Sequence, residues 1–294
     1  MADRDWPLAA RLGVLLGSPA VSATVVGRGF TNNARWLVGL GDGRTVFVKQ
    51  AVDMVTADWL RREHHAYEHL HGPWLPRMLA WQDSAQPVLV LEDLSACSWP
   101  PPWSDAGVAA VQGALADISA HPPPPGLRRA IDSNYADGGW PEVARDPSPF
   151  LSLGLCSKRW LRQALPRLLS AADFRQLDGA ALCHLDVRSD NVCLRDGQAI
   201  LVDWNLAAVG NPEFDLAFWL PSLRVEGGPQ PAEIVQVNPG IVAIVAGFFA
   251  SRAGLPTILA APDVRKIQRR QLAVAMPWAV EALDLPPLDP APRA

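Results

Sequence analysis

The sequence predicts an α+β chain in two parts: a small antiparallel sheet with one long helix, then a larger, mainly helical region. Three observations predict it. Short apolar runs separated by glycine-containing turns occupy residues 1–92, and longer helix-like apolar segments occupy residues 93–294. Between them, Ser98-Trp99-Pro100-Pro101-Pro102-Trp103 can continue neither a strand nor a helix, which divides the chain into two lobes. With 294 residues and 49% hydrophobic content the chain can bury a core in both lobes, and a disordered polypeptide is excluded.

The apolar run Leu8 to Leu16 superficially resembles a secretion signal, but Arg11 interrupts it and Asp3 and Asp5 spoil a basic start, so an amphipathic helix is expected. Val25 to Val38 reads as strand, turn, strand. Gly29 in that turn lets backbone approach a phosphate closely, and Thr31, Asn32 and Asn33 add side-chain donors; an ordinary hairpin is the alternative. Thr45-Val46-Phe47-Val48-Lys49 alternates like a half-buried strand and ends on a lysine. Lysine occurs only at positions 49, 158 and 266 of this arginine-rich chain, so a compact ammonium at Lys49 stands out against the alternative of a surface lysine at a strand end. Thr56 to His71 reads as a helix with Trp59, Leu60, Ala66, Tyr67 and Leu70 apolar. Glu63 is its leading counter-charge for Lys49, and Glu68 is the fallback. His64, His65, His69 and His71 include a pair spaced to grip a metal. No His-Glu-x-x-His frame and no cysteine accompanies them, and a solvated helix face is expected.

The strongest signal is His184-Leu185-Asp186-Val187-Arg188-Ser189-Asp190-Asn191, followed twelve residues after Asn191 by Asp203-Trp204. Phosphoryl transfer needs a carboxylate to orient and deprotonate an acceptor hydroxyl, plus an amide oxygen and a second carboxylate for Mg²⁺. Asp186, Asn191 and Asp203 are those types in that order. A short loop can curl Asp186 and Asn191 toward one point, while Ala199-Ile200-Leu201-Val202 reads as a buried strand delivering Asp203. Arg195-Asp196-Gly197-Gln198 is the tight turn before that strand. A polar surface loop after a buried strand is the alternative.

These motifs together resemble the aminoglycoside phosphotransferase and choline-kinase-like family, the small-molecule branch of the protein-kinase-like fold. The similarity runs from about Ala23 to Leu223 and includes Gly210-Asn211-Pro212-Glu213-Phe214-Asp215-Leu216-Ala217, which resembles the family's Asp-Pro-x-x-Asp-Leu-Ala segment. The resemblance implies a two-lobed kinase-like fold, with Asp186 as base, Asn191 and Asp203 as Mg²⁺ ligands, and Lys49 as the phosphate-binding lysine. Glu63 is its expected partner because it precedes Leu70 by seven residues, the family's interval. His184 and Asp215 would support the catalytic loop, and Val88 to Leu94, with Glu92 and Leu94, resembles the hinge whose backbone binds the purine.

Three departures stand out. Leu185 replaces the usual glycine between His and Asp. Arg188 either stabilises developing negative charge or pairs with Asp190 on the surface. Asn205 stands where many relatives carry a second acid. The expected activity is transfer of the γ-phosphoryl group of ATP or GTP to a hydroxyl of a small polar molecule. A catalytically silent nucleotide-binding module and a kinase acting on protein side chains are the alternatives. Every catalytic residue type is present, against the first, and the segment from Val202 to Asp215 is too short for a peptide-docking loop, against the second.

Acids and bases balance at nine each through Glu92, whereas the remainder carries 21 acids and 17 bases. That distribution favours a cationic or neutral acceptor and argues against nucleic acid as a partner. Ile241 to Ala250 is apolar but too short to span a bilayer, so a core helix is expected rather than a membrane partner. Cys97, Cys156, Cys183 and Cys193 form no metal-like pair and read as reduced cytoplasmic thiols. Trp219, Trp278, Glu213 and Glu226 are candidate pocket residues for which ordinary packing or exposure is the expectation. The proline-rich tail after Leu285 is expected to be poorly ordered.

Overall fold

A computed structural model describes residues 6–27, 33–259 and 261–289. The chain divides into two compact units. The first comprises Met1–Pro100, Ala106–Ala114 and Ser189–Ala207; the second comprises Pro101–Asp105, Leu115–Arg188 and Ala208–Ala294. The segment carrying Asn191 and Asp203 therefore packs with the sheet-bearing part of the chain.

The first unit begins with helix α1 (Pro7–Leu16), which has proline in its first turn and ends at Gly17 in the left-handed region, a common helix stop that glycine adopts without strain. Strands β1 (Ala20–Val25), β2 (Ala34–Leu40) and β3 (Thr45–Gln50) follow, then helix α2 (Met54–His69), β4 (Met78–Gln82) and β5 (Val88–Glu92). The five strands form one antiparallel sheet in the order β1-β2-β3-β5-β4. One face is an apolar core of Val38, Leu40, Val46, Val48, Val88 and Val90, closed by Leu8 and Leu12 of α1. Burying each of those two leucines stabilises by roughly 1.5–3 kcal/mol. Side chains alternate across a strand, so Lys49 lies on the opposite face from Val48 and α1. Helix α2 starts at a capping box in which Asp53 accepts from the Thr56 N–H and Thr56 reaches back, fixing the register of the residues that follow.

Helix α3 (Asp105–Ala120) contributes residues to both units. In the second unit a small sheet combines β6 (Arg128–Arg129) and β7 (Ala181–Cys183), with a later strand between them. Helices α4 (Trp140–Arg145), α5 (Ser148–Leu151) and α6 (Lys158–Ala171) occupy the intervening chain. In the first unit, β8 (Val192–Arg195) and β9 (Gln198–Leu201) form a hairpin. Its turn has positive φ at both Asp196 and Gly197, the geometry that residue pair permits. The central strand of the small sheet, β10 (Ala208–Gly210), returns to the second unit, followed by α7 (Glu213–Val225), α8 (Pro231–Ile234), α9 (Pro239–Ala253) and α10 (Val264–Ala282). Helix α9 is the core of this unit, buried from Gly240 to Gly247, and α4, α6, α7 and α10 pack around it. The antiparallel sheet and helical remainder agree with the α+β, kinase-like expectation. Among the described residues no helix is long and apolar enough to cross a membrane.

Of the tail after Leu285, residues 286–289 are tied down against expectation, and residues 290–294 lie outside the described residues. Leu285 is buried, Trp160 donates its indole N–H to the Pro286 carbonyl at 2.9 Å, and Asp289 accepts from the Ser157 amide and hydroxyl at 2.9 and 2.7 Å. Proline removes donors but leaves carbonyls, so a proline-rich stretch can still be tied down by donors from its neighbour.

Candidate active site

Lys49 and Glu63 are both buried in the first unit, and the lysine ammonium reaches the glutamate carboxylate at 2.7 Å. The same ammonium makes a close ion pair with Asp203. Burial pulls the Lys49 pKa down, but the charges of Asp203 and Glu63 outweigh it and raise the value above the ordinary range. Lys49 is thus held as a cation. Glu68, the fallback partner, is exposed.

Asn191 and Asp203 come together through the hairpin register. Val192 pairs with Leu201, and the Val202 N–H donates to the Asn191 carbonyl at 2.9 Å, so both residues sit at the open end of β8–β9. The hairpin is fastened to the rest of its unit. Leu194 exchanges two backbone hydrogen bonds with Ser98, Leu201 donates to the Trp74 carbonyl, and the Trp74 and Trp204 rings lie 5.2 Å apart. Asp203 itself has φ 65°, a left-handed conformation that aspartate tolerates better than most residues. Asn191 is buried, whereas the Asp203 side chain is 22% exposed. An amide oxygen and a carboxylate are hard donors of the kind Mg²⁺ takes, and the donor set fits that ion.

In the second unit, β7 delivers the loop beginning at His184. Asp215, near the start of α7, accepts the His184 N–H at 2.6 Å and the Leu185 N–H at 2.7 Å. Burial raises the Asp215 pKa to about 6 against the lowering effect of those two donors. His184 is fully buried, and its Nδ1 accepts from the Asp186 N–H at 3.2 Å. Arg188 pairs with Asp186, with Nε at 3.1 Å from Oδ1 and Nη2 at 3.3 Å from Oδ2. This guanidinium therefore faces the carboxylate read as the base, a partner not weighed from sequence.

Other expected positions divide. Gly29, Thr31 and Asn32 lie outside the described residues. The Glu92 carboxylate accepts from the Arg77 N–H at 2.9 Å and pairs with Arg195 at 3.0 Å, while its own N–H goes to the Arg77 carbonyl. The Leu94 carbonyl takes two donors, the Cys97 N–H and the Trp99 indole. Trp219 and Trp278 are buried, Glu226 accepts the Trp103 indole N–H at 2.8 Å, and Glu213 accepts the Asn238 N–H at 3.0 Å. On α2, His65, Glu68 and His69 gather ligand atoms within 4.8 Å, whereas His64 stacks on Trp81.

Two residues escaped the sequence reading. Arg35 is buried directly across the strand pair from Lys49, and its charge acts on Glu63. The register of β2 on β3 was the signal for it, because opposite residues share a face. Tyr135, buried in the second unit, donates its hydroxyl to the Leu185 carbonyl at 2.5 Å.

The profile described as a phosphotransferase enzyme family matches residues 22–244. No curated protein matches the sequence. Among solved structures, a choline/ethanolamine kinase family protein from Mesorhizobium loti is 15% identical, with TM-score 0.58 over 92% of this chain and 98% of that one. A spectinomycin phosphotransferase, solved with ADP and spectinomycin, is 15% identical, with TM-score 0.55 over 97% and 94%. An amicoumacin kinase, solved with AMP-PNP and Ca²⁺, is 11% identical, with TM-score 0.55 over 98% and 96%. At such identities the likeness is one of fold.

Proposed function

Since the chain belongs to the phosphotransferase enzyme family, we propose that it moves the γ-phosphoryl group of ATP or GTP onto a hydroxyl of a small polar molecule, with Mg²⁺. The observation that carries this reading is the buried Lys49 cation, held by Glu63 and Asp203 in the unit whose hairpin also presents Asn191. Lys49 binds phosphate oxygens as a compact point charge, and Glu63 keeps its chain extended toward them. Asn191 and Asp203 would hold Mg²⁺, which when bound supplies neutralisation of the charge on the β- and γ-phosphoryl oxygens. Asp186 orients the acceptor hydroxyl and takes its proton, while Arg188 pairs with both oxygens of its carboxylate. Little covalent chemistry falls to the protein, and alignment can contribute roughly 7–11 kcal/mol of the barrier.

Relatives of the same fold hold ADP with spectinomycin, and AMP-PNP with Ca²⁺, which supports a nucleotide, a divalent cation and a small acceptor here. The acid excess after Asp93 favours a cationic or neutral acceptor. Four cysteines without a disulfide fit a reducing, cytoplasmic setting. The test is slow phosphate release from ATP or GTP on adding Mg²⁺, followed by a thermal-shift screen of hydroxyl-bearing amines, sugars and antibiotics with a nonhydrolysable nucleotide. A protein that neither gains stability with Mg²⁺ and nucleotide nor releases phosphate would overturn the reading.

A further inference from the structure

Leu185 has φ 63° and is almost fully buried. The left-handed region costs an L-residue with a bulky side chain about 1–2 kcal/mol, and leucine has no polar side-chain group to offset that locally. Something else must hold the turn. Its two backbone polar groups are taken from two directions: the N–H by Asp215 at 2.7 Å, and the carbonyl by the Tyr135 hydroxyl at 2.5 Å.

Tyr135 is placed to do this. Its ring sits edge-on to Phe214 and Phe218, with centroids at 5.2 and 4.7 Å, and tilted on Phe248 at 5.2 Å. A phenylalanine would fill that aromatic cluster equally well, and the chain uses eight phenylalanines and only two tyrosines. The one hydroxyl in the cluster is aimed at the catalytic loop. Burial, reinforced by the charges of Asp186 and Asp215, raises its pKa, so it remains a donor throughout the working pH range.

We infer that Tyr135 is a positioning residue for Asp186: by pinning the Leu185 carbonyl it holds the left-handed turn from which the Asp186 side chain departs. The carbonyl orientation sets ψ of Leu185 and hence the plane of the Leu185–Asp186 peptide. The Asp186 N–H on that same peptide is directed to His184 Nδ1. With Asp215 gripping the amides of His184 and Leu185, the peptides around Leu185 are held at both edges. Asp215 does not touch the Leu185 carbonyl, and the peptide that carries it is held by Tyr135 at 2.5 Å and by the longer 3.2 Å bond from the Asp186 N–H to His184.

The kinetic part of this inference rests on the proposed phosphotransferase reading; the structural part does not. Tyr135→Phe keeps the ring and deletes the donor. Amide exchange at Leu185 and Asp186 should accelerate about tenfold or more in this variant, with the amides of α7 and α9 unchanged. Where the wild-type protein turns over, kcat should fall about tenfold while the nucleotide KM stays within about twofold, the split expected for loss of transition-state alignment. Leu185→Gly removes the backbone penalty, so the same phenylalanine change made in that background should accelerate exchange at Asp186 several-fold less. Unchanged exchange at Leu185 and Asp186 would overturn the inference whatever the activity, as would acceleration spread evenly over α7 and α9. A normal kcat in an active protein would overturn it too. Absence of wild-type turnover would count against the functional reading only, and exchange would still decide the role of Tyr135.

Discussion

Lys49→Met removes the central cation of the first unit while keeping most of the side-chain volume. Glu63 is buried and loses the partner 2.7 Å away, whereas Asp203, 22% exposed, can recover some solvation. Removing one partner of a buried ion pair costs about 3–5 kcal/mol. For a chain of this size that lowers Tm by on the order of 10 °C. The sign of the pH dependence follows from Glu63. Burial already raises its pKa, Lys49 opposes that, and Asp203 adds to it. Without the ammonium, the folded-state pKa stands further above the unfolded value. The folded variant then retains a proton that the unfolded chain releases above the ordinary carboxylate range, so its stability falls as pH rises. In the wild-type protein the raised Lys49 pKa gives a contribution that is complete below the unfolded lysine value and is lost only as pH rises through the folded one, far above neutrality. Melting curves taken from the ordinary carboxylate range, about pH 4.5, up to about pH 8.5 should therefore diverge more for Lys49→Met than for wild type. Adding Glu63→Gln should restore most of the stability and remove the extra slope without restoring turnover. A variant as stable as wild type at pH 8.5, or a double variant no better than the single one, would refute the reasoning.

Three further outcomes are expected. Asp186→Ala should lower turnover about a hundredfold or more with nucleotide affinity nearly unchanged, measured by steady-state kinetics beside calorimetry; equal turnover would remove Asp186 as base. Asp203→Ala should instead weaken Mg²⁺-dependent nucleotide binding itself, read in the same calorimeter with and without the cation, while binding as tight as wild type would remove Asp203 as a ligand. Asp215, with its pKa raised to about 6, should give a kcat that climbs as pH rises through about 6, when the carboxylate forms to grip the two loop amides. Its linkage to folding has the opposite sense: the folded state holds the proton more tightly, so stability declines by about 3 kcal/mol between about pH 4 and pH 6. Asp215→Asn should flatten that decline in denaturant titrations.

Local spacing made much of this legible. The turn at Asp196-Gly197 is encoded in adjacent residues, and it sets the β8–β9 register that brings Asn191 beside Asp203. Lys49 was legible by scarcity, and α2 by its periodicity. The long-range contacts were less accessible. Lys49 and Asp203 are 154 residues apart, and their meeting depends on Trp74 and Ser98 fastening the hairpin within the first unit. Nothing in the hairpin's own sequence names that partner. Arg35 was hidden for a related reason. Its burial follows from pairing with Lys49 across β2 and β3, which a reading of either strand alone does not contain.

Leu185 shows the same limit at a single residue. From sequence it reads as a bulky group in place of a glycine. The structure adds a backbone problem, since it retains the positive φ a glycine would supply freely. Asp215, 30 residues on, and Tyr135, 50 residues back, hold that conformation through its amide and its carbonyl. The two units therefore rely on different physics. Charge fixes Lys49, Glu63 and Asp203, whereas backbone hydrogen bonds and an aromatic cluster fix the loop that carries Asp186. The boundary between units falls between Arg188 and Ser189, inside the candidate catalytic loop. On the Asp186 side of that boundary, within the second unit, Asp215 holds the His184 and Leu185 amides, Tyr135 holds the Leu185 carbonyl, and His184 accepts the Asp186 N–H.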